Sequence, residues 1–248
     1  MPAFKIAAAQ VASVRGDIER NVATHASALA AAARQGVSVL VFPELSLTGY
    51  ERDLAAALAI APDDSRLAPL AGLAQEHWIT AIVGAPLRSG QDKPALGAIL
   101  ISPAEPNRTY RKMHLGSGEQ PFFSSGDAPL TLATGGHRIG LAICADSSEP
   151  AHPQAYAEQG ADIYAAGVCL NAQWYPSDAP RLAGYAAHHR LLVVMANHGA
   201  SAGTYTSVGK SAVWAPDGVL LTQAAQTENA LLIATYEEAT WRGELIRL

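Results

Sequence analysis

Apolar and polar positions divide the first half of the chain into short segments that alternate between strand and helix patterns. Residues 37–42 form a continuous apolar run, which is typical of a strand buried on both faces. Asp17 is a suitable N-cap for an alanine-rich helix that reaches residue 34, and Gly36 follows the end of that helix. Ser65 likewise predicts the start of a helix over residues 66–77. Further strands are predicted at residues 4–11, 79–87, 96–101 and 109–112, of which the last two form a hairpin.

The second half of the chain repeats this order of elements. Strands are predicted at residues 137–144, 161–169, 191–196 and 229–236, and residues 211–214 and 219–222 form a second hairpin. One helix is predicted over residues 153–159, and Ser177 or Asp178 caps another that ends near residue 190. The last residues are expected to be a tail. Helices that alternate with strands indicate an α/β layered fold, and because no low-complexity linker interrupts the pattern, we expect one domain over residues 1–248.

Composition narrows the possible partners. Hydrophobic residues make up 49% of the chain and charged residues only 16%, which indicates several packed layers or a subunit interface. The net charge is −5 and lysine and arginine form no cluster, so nucleic acid and anionic membranes are not expected partners. The sequence has no long apolar run of the kind found in signal peptides or membrane spans. Its two cysteines have no metal-type spacing and make no disulfide framework, so we expect a cytoplasmic protein with free thiols.

Three ionisable residues of complementary chemistry follow predicted strands. Glu44 follows the strand at residues 37–42, Lys112 ends the strand that starts at residue 109, and Cys144 ends the strand at residues 137–144. In open α/β sheets, functional groups gather beyond the strand ends. A thiolate can attack an acyl carbon, a carboxylate can take the thiol proton and later activate water, and an ammonium can stabilise an oxyanion together with the Ala145 N–H.

Each of these residues also has a purely structural interpretation. Free cysteines are among the most buried residue types, so Cys144 taken alone favours a core position over a nucleophile. Glu44 and Lys112 could form an ion pair at the surface, where such pairs contribute only about 0–1 kcal/mol. The placement of all three residues at strand ends favours a shared site. A helix beginning near Pro150 is expected to favour the thiolate through its N-terminal N–H groups.

The segments around these residues resemble a known family. FPELSLTGY (residues 42–50), YRKMHLGSGEQPFFSSGD (110–127) and IGLAICAD (139–146) are similar to segments of the nitrilase superfamily, the carbon–nitrogen hydrolases. Residues 197–218, where a Gly/Ser stretch leads into a hairpin, resemble the late part of that family, and residues 16–21 resemble the start of its first helix. The resemblance covers nearly the whole chain.

This resemblance implies a four-layer αββα sandwich with two mixed sheets, paired through its helices into a homodimer or a higher homo-oligomer. It implies that Glu44 is the general base, Lys112 the oxyanion stabiliser and Cys144 the nucleophile, and that Glu119 supports them. It implies no metal and no organic cofactor. The implied reaction is attack on an amide or nitrile carbon, loss of ammonia or an amine, and hydrolysis of a thioester. Residues considered for the substrate pocket are Tyr50, Ala145, Trp174, Phe123 and Tyr175.

The chain departs from the family pattern just after Cys144. Ala145 replaces the usual aromatic residue, and Ser148 and Glu149 stand where arginine and phenylalanine are usual. In some members that arginine meets a carboxylate on the substrate, so its absence argues against an ω-amidase. Glu149 could face a cationic substrate or cap the following helix.

The leading hypothesis is therefore a thiol hydrolase that cleaves the C–N bond of a small non-peptide amide or N-carbamoyl compound. A nitrilase and an acyltransferase would use the same residues. A catalytically silent binding or regulatory subunit would keep the fold without the chemistry. The sequence does not identify the substrate, because the loops that wall the pocket cannot be placed from it.

Overall fold

The computed structural model describes residues 3–203 and 205–248. The strands in these residues are β1 (Phe4–Gln10), β2 (Val39–Val41), β3 (Thr80–Leu87), β4 (Ala95–Ile101), β5 (Arg108–Arg111), β6 (Thr131–Thr134), β7 (His137–Ile143), β8 (Ile163–Gly167), β9 (Leu192–Ala196), β10 (Ala212–Trp214), β11 (Leu220–Gln223), β12 (Ala230–Glu237) and β13 (Thr240–Arg247). The α-helices are α1 (Ile18–Arg34), α2 (Ala55–Leu58), α3 (Ala68–His77), α4 (Ala151–Glu158) and α5 (Tyr175–His189).

These strands form two mixed sheets. One has the order β13-β12-β1-β2-β3-β4-β5 and the other has the order β11-β10-β9-β8-β7-β6. In the first sheet β2 runs parallel to both β1 and β3, and in the second sheet β8 runs parallel to both β7 and β9. The outer strands pair antiparallel. Each sheet thus has parallel strands at its centre. Loops at the carboxyl ends of such strands can assemble a functional site.

Hydrophobic packing arranges the sheets and helices in four layers. On β1, Ile6 and Ala8 pack between the two sheets, whereas Ala7 and Ala9 pack under the helix layer, since neighbouring strand residues point to opposite faces. Both faces of the central strands are therefore buried, which explains their continuous apolar runs. Helices α1 and α3 cover the first sheet, and α4 and α5 cover the second. The predicted α/β sandwich with two mixed sheets is confirmed.

The predicted tail is wrong. Residues 240–247 form β13, which pairs along its whole length with β12 at the edge of the first sheet. The segment reads TWRGELIR and is largely exposed or half-buried, so it carries no apolar run. Strand β6 (TLAT) was not predicted for the same reason, because it pairs with β7 at the other sheet's edge and none of its residues is fully buried. Edge strands with polar sequences give a weak hydropathy signal.

Two predicted helix caps are also wrong, although the Asp17 cap of α1 is confirmed. The side chain of Asp64, rather than that of Ser65, accepts the Arg66 N–H at the start of a 3₁₀ turn that leads into α3.

Helix α5 begins before Ser177 and Asp178, so neither residue is its N-cap. The Asn171 side chain accepts hydrogen bonds from the N–H groups of Gln173 and Trp174. These bonds form a turn that leads directly into α5, which begins at Tyr175. As a result Ser177 and Asp178 lie in the first turn of α5.

No helix in the described residues is both long enough and apolar enough to cross a membrane.

Candidate active site

Glu44 lies in a tight turn beyond β2, between the two sheets. A Cβ atom on Gly84 of β3 would lie 2.4 Å from Pro43 O, and one on Gly167 of β8 would lie 2.6 Å from Phe42 O. Glycine at these two positions therefore lets the turn lie directly against a strand of each sheet. The Glu44 carbonyl oxygen is also 2.7 Å from Nε2 of the buried His198. The backbone around Glu44 is therefore held by β3, by β8 and by the His198 side chain.

Lys112 follows β5 and is completely buried. Its backbone N–H donates to Leu96 O at 2.8 Å, which extends the β4–β5 pairing to this residue. The Nζ atom donates to Glu44 Oε1 at 2.6 Å and to both carboxylate oxygens of Glu119 at 2.9 Å. A buried ammonium is costly unless it is paired, and these two carboxylates supply the pairing.

Glu119 is fixed by further donors besides the lysine. Its Oε2 accepts the Gly116 N–H at 2.6 Å, and its Oε1 accepts the Tyr50 hydroxyl at 2.6 Å. A carboxylate with this many donors has a defined orientation. Glu44 and Glu119 are thus the two carboxylates that accept hydrogen bonds from the Lys112 ammonium. The Tyr50 hydroxyl belongs to the same network through its bond to Glu119.

Cys144 comes directly after β7 and is half-buried. Its φ angle of 42° lies in the left-handed region, which is uncommon for a residue with a side chain and is found at functional sites. The chain then turns into a 3₁₀ helix (Cys144–Ser148) before α4 begins. The sharp turn from strand to 3₁₀ helix presents the thiol at the strand end.

Asp146 joins the segment that carries Lys112 to the turn that carries Cys144. One of its oxygens accepts the N–H groups of Met113 and His114 at 3.0 and 2.8 Å, and the other accepts the Ile143 N–H at 2.9 Å. The buried Tyr110 hydroxyl donates to it at 2.7 Å. Sequence reasoning assigned no role to this residue, although an aspartate two positions after the candidate nucleophile was visible in the sequence.

The two glutamates, the lysine and the cysteine border one cavity of about 230 Å³. The residues assigned to the site from the sequence that line this cavity are Glu44, Lys112, Glu119, Cys144, Tyr50, Ala145 and Trp174. Two of the aromatic residues considered for the pocket do not line it. Phe123 is buried in the core between the sheets, and Tyr175 lies outside the cavity wall at the start of α5. Cys169, Asp178, Arg181 and Tyr205 line the cavity and were not predicted to do so.

Burial and charge set the protonation of the central groups. Burial raises the pKa of Glu44 to about 7, even though the Lys112 ammonium opposes the change. Burial by itself would lower the pKa of Lys112, but the surrounding acidic groups, Glu44 first, raise it above its ordinary value. Burial, reinforced by the Glu44 charge, raises the pKa of the Cys144 thiol. The expectation that a helix N-terminus favours the thiolate is therefore wrong, since a 3₁₀ helix (Cys144–Ser148) separates Cys144 from the start of α4 at Ala151.

The resting site thus holds a neutral thiol, a charged ammonium and a carboxylate that titrates near neutral pH. The Oε2 atom of Glu44 is buried and has no hydrogen-bond partner among the described residues. A carboxylate oxygen in this state can accept a proton from a neighbouring thiol.

His114, Asp146 and His152 are the described residues that come closest to a metal-binding set, with potential ligand atoms within 4.8 Å of one another. Both oxygens of Asp146 already accept two hydrogen bonds each. The two ring nitrogens of His152 lie 3.0 and 2.9 Å from the hydroxyls of Tyr110 and Tyr164. Because these atoms are used by internal hydrogen bonds, the cluster is better explained as a polar core than as a metal site.

Comparisons with known proteins agree with this geometry. A family model described as carbon-nitrogen hydrolase matches residues 5–243. The chain is 28% identical over 228 residues to an (R)-stereoselective amidase of Pseudomonas sp., covering 91% of this chain and 82% of that protein. It is 27% identical over 209 residues to a nitrilase of Pyrococcus abyssi, covering 82% and 78%.

A solved structure of the Nesterenkonia sp. AN1 amidase superposes with a TM-score of 0.86 at 25% identity, covering 95% of this chain and 91% of that chain. In that structure the acetamide moiety of fluoroacetamide is covalently attached to the active-site cysteine.

Proposed function

The chain belongs to the carbon–nitrogen hydrolase family and is a cysteine-dependent amide hydrolase, and we propose that Cys144 is its nucleophile, Glu44 its general base and Lys112 its oxyanion donor. The observation that carries this proposal is the convergence of the three side chains on one cavity, with Lys112 Nζ 2.6 Å from Glu44 Oε1. The substrate is a small non-peptide amide or N-carbamoyl compound, in keeping with the cavity volume of about 230 Å³.

The first half of the reaction forms a thioester. Glu44 takes the thiol proton as Cys144 Sγ bonds to the carbonyl carbon, and the C=O electron pair moves to the oxygen. The Lys112 ammonium stabilises this oxyanion, and the Ala145 N–H serves as a second donor. When the tetrahedral species collapses, the C–N bond breaks and the protonated Glu44 gives its proton to the departing nitrogen. Ammonia or an amine leaves, and the acyl group remains on sulfur.

The second half returns the free enzyme. Glu44, again a carboxylate, takes a proton from water as the water oxygen attacks the thioester carbon. The same donors hold the second oxyanion, and collapse breaks the C–S bond, releases the acid and returns the proton to sulfur. A carboxylate whose pKa is near 7 suits both directions of transfer, because its two protonation states are close in free energy at neutral pH.

Glu119 and Tyr50 act as positioning residues in this scheme. Glu119 accepts a hydrogen bond from the Lys112 ammonium, and Tyr50 fixes Glu119 through a 2.6 Å hydrogen bond. The two carboxylates favour the charged form of the lysine, since they raise its pKa. Trp174 is half-exposed at the cavity and would contact the acyl part of the substrate.

Release of ammonia from a panel of small amides, N-carbamoyl compounds and matched nitriles tests the proposed function. We expect turnover of amides by the wild type and none by Cys144→Ala, with both proteins folded by circular dichroism. Cys144→Ser should also be nearly inactive, because a hydroxyl is a weaker nucleophile beside this base. Turnover of nitriles alone would identify a nitrilase, and full activity of Cys144→Ala would refute the mechanism.

Mass spectrometry of the acid-quenched enzyme locates the covalent step. The acyl mass should appear on the peptide that contains Cys144 and not on the peptide that contains Cys169, which lines the same cavity and serves as an internal control. Addition of an amine acceptor distinguishes hydrolysis from acyl transfer, since a transferase would form a new amide. Acylation of Cys169 instead of Cys144 would contradict the proposal.

We further propose that the protein is a homodimer or a higher homo-oligomer in a reducing cytoplasm, as the family resemblance and the two free cysteines favour. Sedimentation equilibrium measures the first property, and a monomer at micromolar concentration would contradict it. Localisation of the tagged protein by cell fractionation measures the second.

A further inference from the structure

Helix α5 supplies an ion pair to the wall of the candidate active site. Asp178 and Arg181, three residues apart on the first two turns, both line the cavity that contains Cys144. Arg181 Nη2 donates to Asp178 Oδ1 at 2.6 Å, and the two side chains are only 27% and 14% exposed. The pair is therefore partly shielded from water, where charge interactions are stronger than on an open surface.

The guanidinium of Arg181 is fixed against the turn that carries the nucleophile. Its Nε donates to Ser147 O at 3.0 Å, and its Nη2 also donates to Ser148 Oγ at 3.1 Å. The hydroxyl of Tyr185, one turn further along α5, donates to the same Ser147 oxygen at 3.0 Å. The position of the Arg181 guanidinium relative to Cys144 is thus fixed by two hydrogen bonds to the 3₁₀ helix and by a third to Asp178.

Each member of the pair keeps hydrogen-bonding capacity. All bonds of the guanidinium to the described residues use Nε and Nη2, which leaves both N–H groups of Nη1 without a partner there. On Asp178, Oδ1 accepts from Arg181 and from Ser177 Oγ, whereas Oδ2 accepts no hydrogen bond from the described residues. Arg181 thus keeps a donor and Asp178 an acceptor of opposite charge, on two neighbouring residues that line the cavity.

We propose that the Asp178–Arg181 pair selects amide substrates that carry a second, neutral group with both a donor and an acceptor, such as a carboxamide or ureido group. This inference rests on the proposed function. The carbonyl oxygen of such a group would accept from Arg181 Nη1, and its N–H would donate to Asp178 Oδ2.

A charged group would fit this pair poorly. A carboxylate would face Asp178 as well as Arg181, and an ammonium would face Arg181 as well as Asp178. Because the two charges of the pair cancel, neither ion would regain the hydration that it loses on entering the cavity. The cavity of about 230 Å³ suits a small diamide rather than a large substrate.

Four amides of similar size test the proposal: succinamide with a neutral second amide, succinamate with a carboxylate, 3-aminopropanamide with an ammonium, and butanamide with no polar end group. We expect wild-type kcat/KM, measured by ammonia release, to be highest for succinamide. Preference for succinamate or 3-aminopropanamide in the wild type would overturn the proposal.

Substitution of one member of the pair should redirect this selectivity. Asp178→Asn keeps the shape and the Oδ1 acceptor but leaves the Arg181 charge uncompensated, so the kcat/KM ratio of succinamate to succinamide should rise about ten- to a hundred-fold. Arg181→Gln should raise the ratio of 3-aminopropanamide to succinamide in the same way. Glu149→Gln is the matched control, because it removes a nearby exposed charge that does not line the cavity, and it should change neither ratio. Unchanged ratios in both cavity variants would overturn the proposal.

Binding measurements separate this inference from the proposed function. Calorimetric titration of Cys144→Ala with the same four compounds reports recognition without turnover, and the same order of affinities is expected, with the same shifts on adding Asp178→Asn. If no amide releases ammonia but succinamide binds best, the proposed function fails and the inference stands. If amides are hydrolysed but the four compounds bind without regard to charge, the inference fails alone.

Discussion

Replacing Gly84 by alanine perturbs the turn of Glu44 without touching the carboxylate itself. The added Cβ would lie 2.4 Å from both Pro43 O and Leu45 N, whereas ordinary contacts begin at 3.4 Å. The turn must therefore move by about 1 Å, since both obstructing atoms belong to the backbone and no side chain can rotate away. The backbone of Glu44 lies between those two atoms, so the carboxylate of this proposed general base moves with the turn.

The expected loss follows from this displacement. A misplacement of about 1 Å in a catalytic group costs about 10²-fold in rate, so kcat/KM of Gly84→Ala should fall by about two orders of magnitude. Overpacking of a filled interior should lower the free energy of unfolding by about 1–3 kcal/mol. Steady-state kinetics on the best amide substrate measures the first quantity, and urea denaturation measures the second.

Gly72→Ala is the matched control. Gly72 lies within α3 and a Cβ there meets no atom within 4 Å, so alanine should leave kcat/KM unchanged and stabilise the helix by up to about 1 kcal/mol. If Gly84→Ala keeps kcat/KM within two-fold of the wild type while Gly72→Ala behaves as expected, the reasoning that the glycine holds the general base in place is refuted.

Three further predictions follow from the site and its surroundings. The kcat/KM of the wild type should fall as the pH drops through about 7, because the ionised form of Glu44 is the proposed base and burial raises its pKa to about 7; an acid limb near 4.5 would contradict this assignment. Tyr50→Phe removes the 2.6 Å bond to Glu119 and should lower kcat about ten-fold with the fold intact by circular dichroism, whereas an unchanged kcat would show that Glu119 needs no such support. Burial lowers the pKa of His25 to about 4, so the unfolded state binds a proton between pH 6.5 and 4 that the native state does not, and stability is lost as the pH falls through this range. Between pH 6.5 and 4, His25→Gln should lose about 3 kcal/mol less of its free energy of unfolding than the wild type loses. The same loss in variant and wild type would contradict the prediction.

The sequence predicted the central strands and α1 because their signals are local. A strand buried on both faces needs an unbroken apolar run, and residues 37–42 show one around β2. An N-cap needs only a side chain that accepts an N–H three residues later, as Asp17 does from Arg20. Edge strand β13 has no such signal, since its pairing with β12 rather than its own hydropathy makes it a strand.

The sequence by itself determined which residues are the proposed catalytic groups: Glu44, Lys112 and Cys144 each follow a strand, in segments whose pattern is visible in the sequence. Only the tertiary structure decided their environment. Burial in a shared cavity raises the pKa of Glu44 and of the Cys144 thiol, and Asp178 and Arg181 reach that cavity from a helix far along the chain. Strand ends and caps depend on neighbours in sequence, whereas solvation, charge pairing and pocket walls depend on neighbours in space.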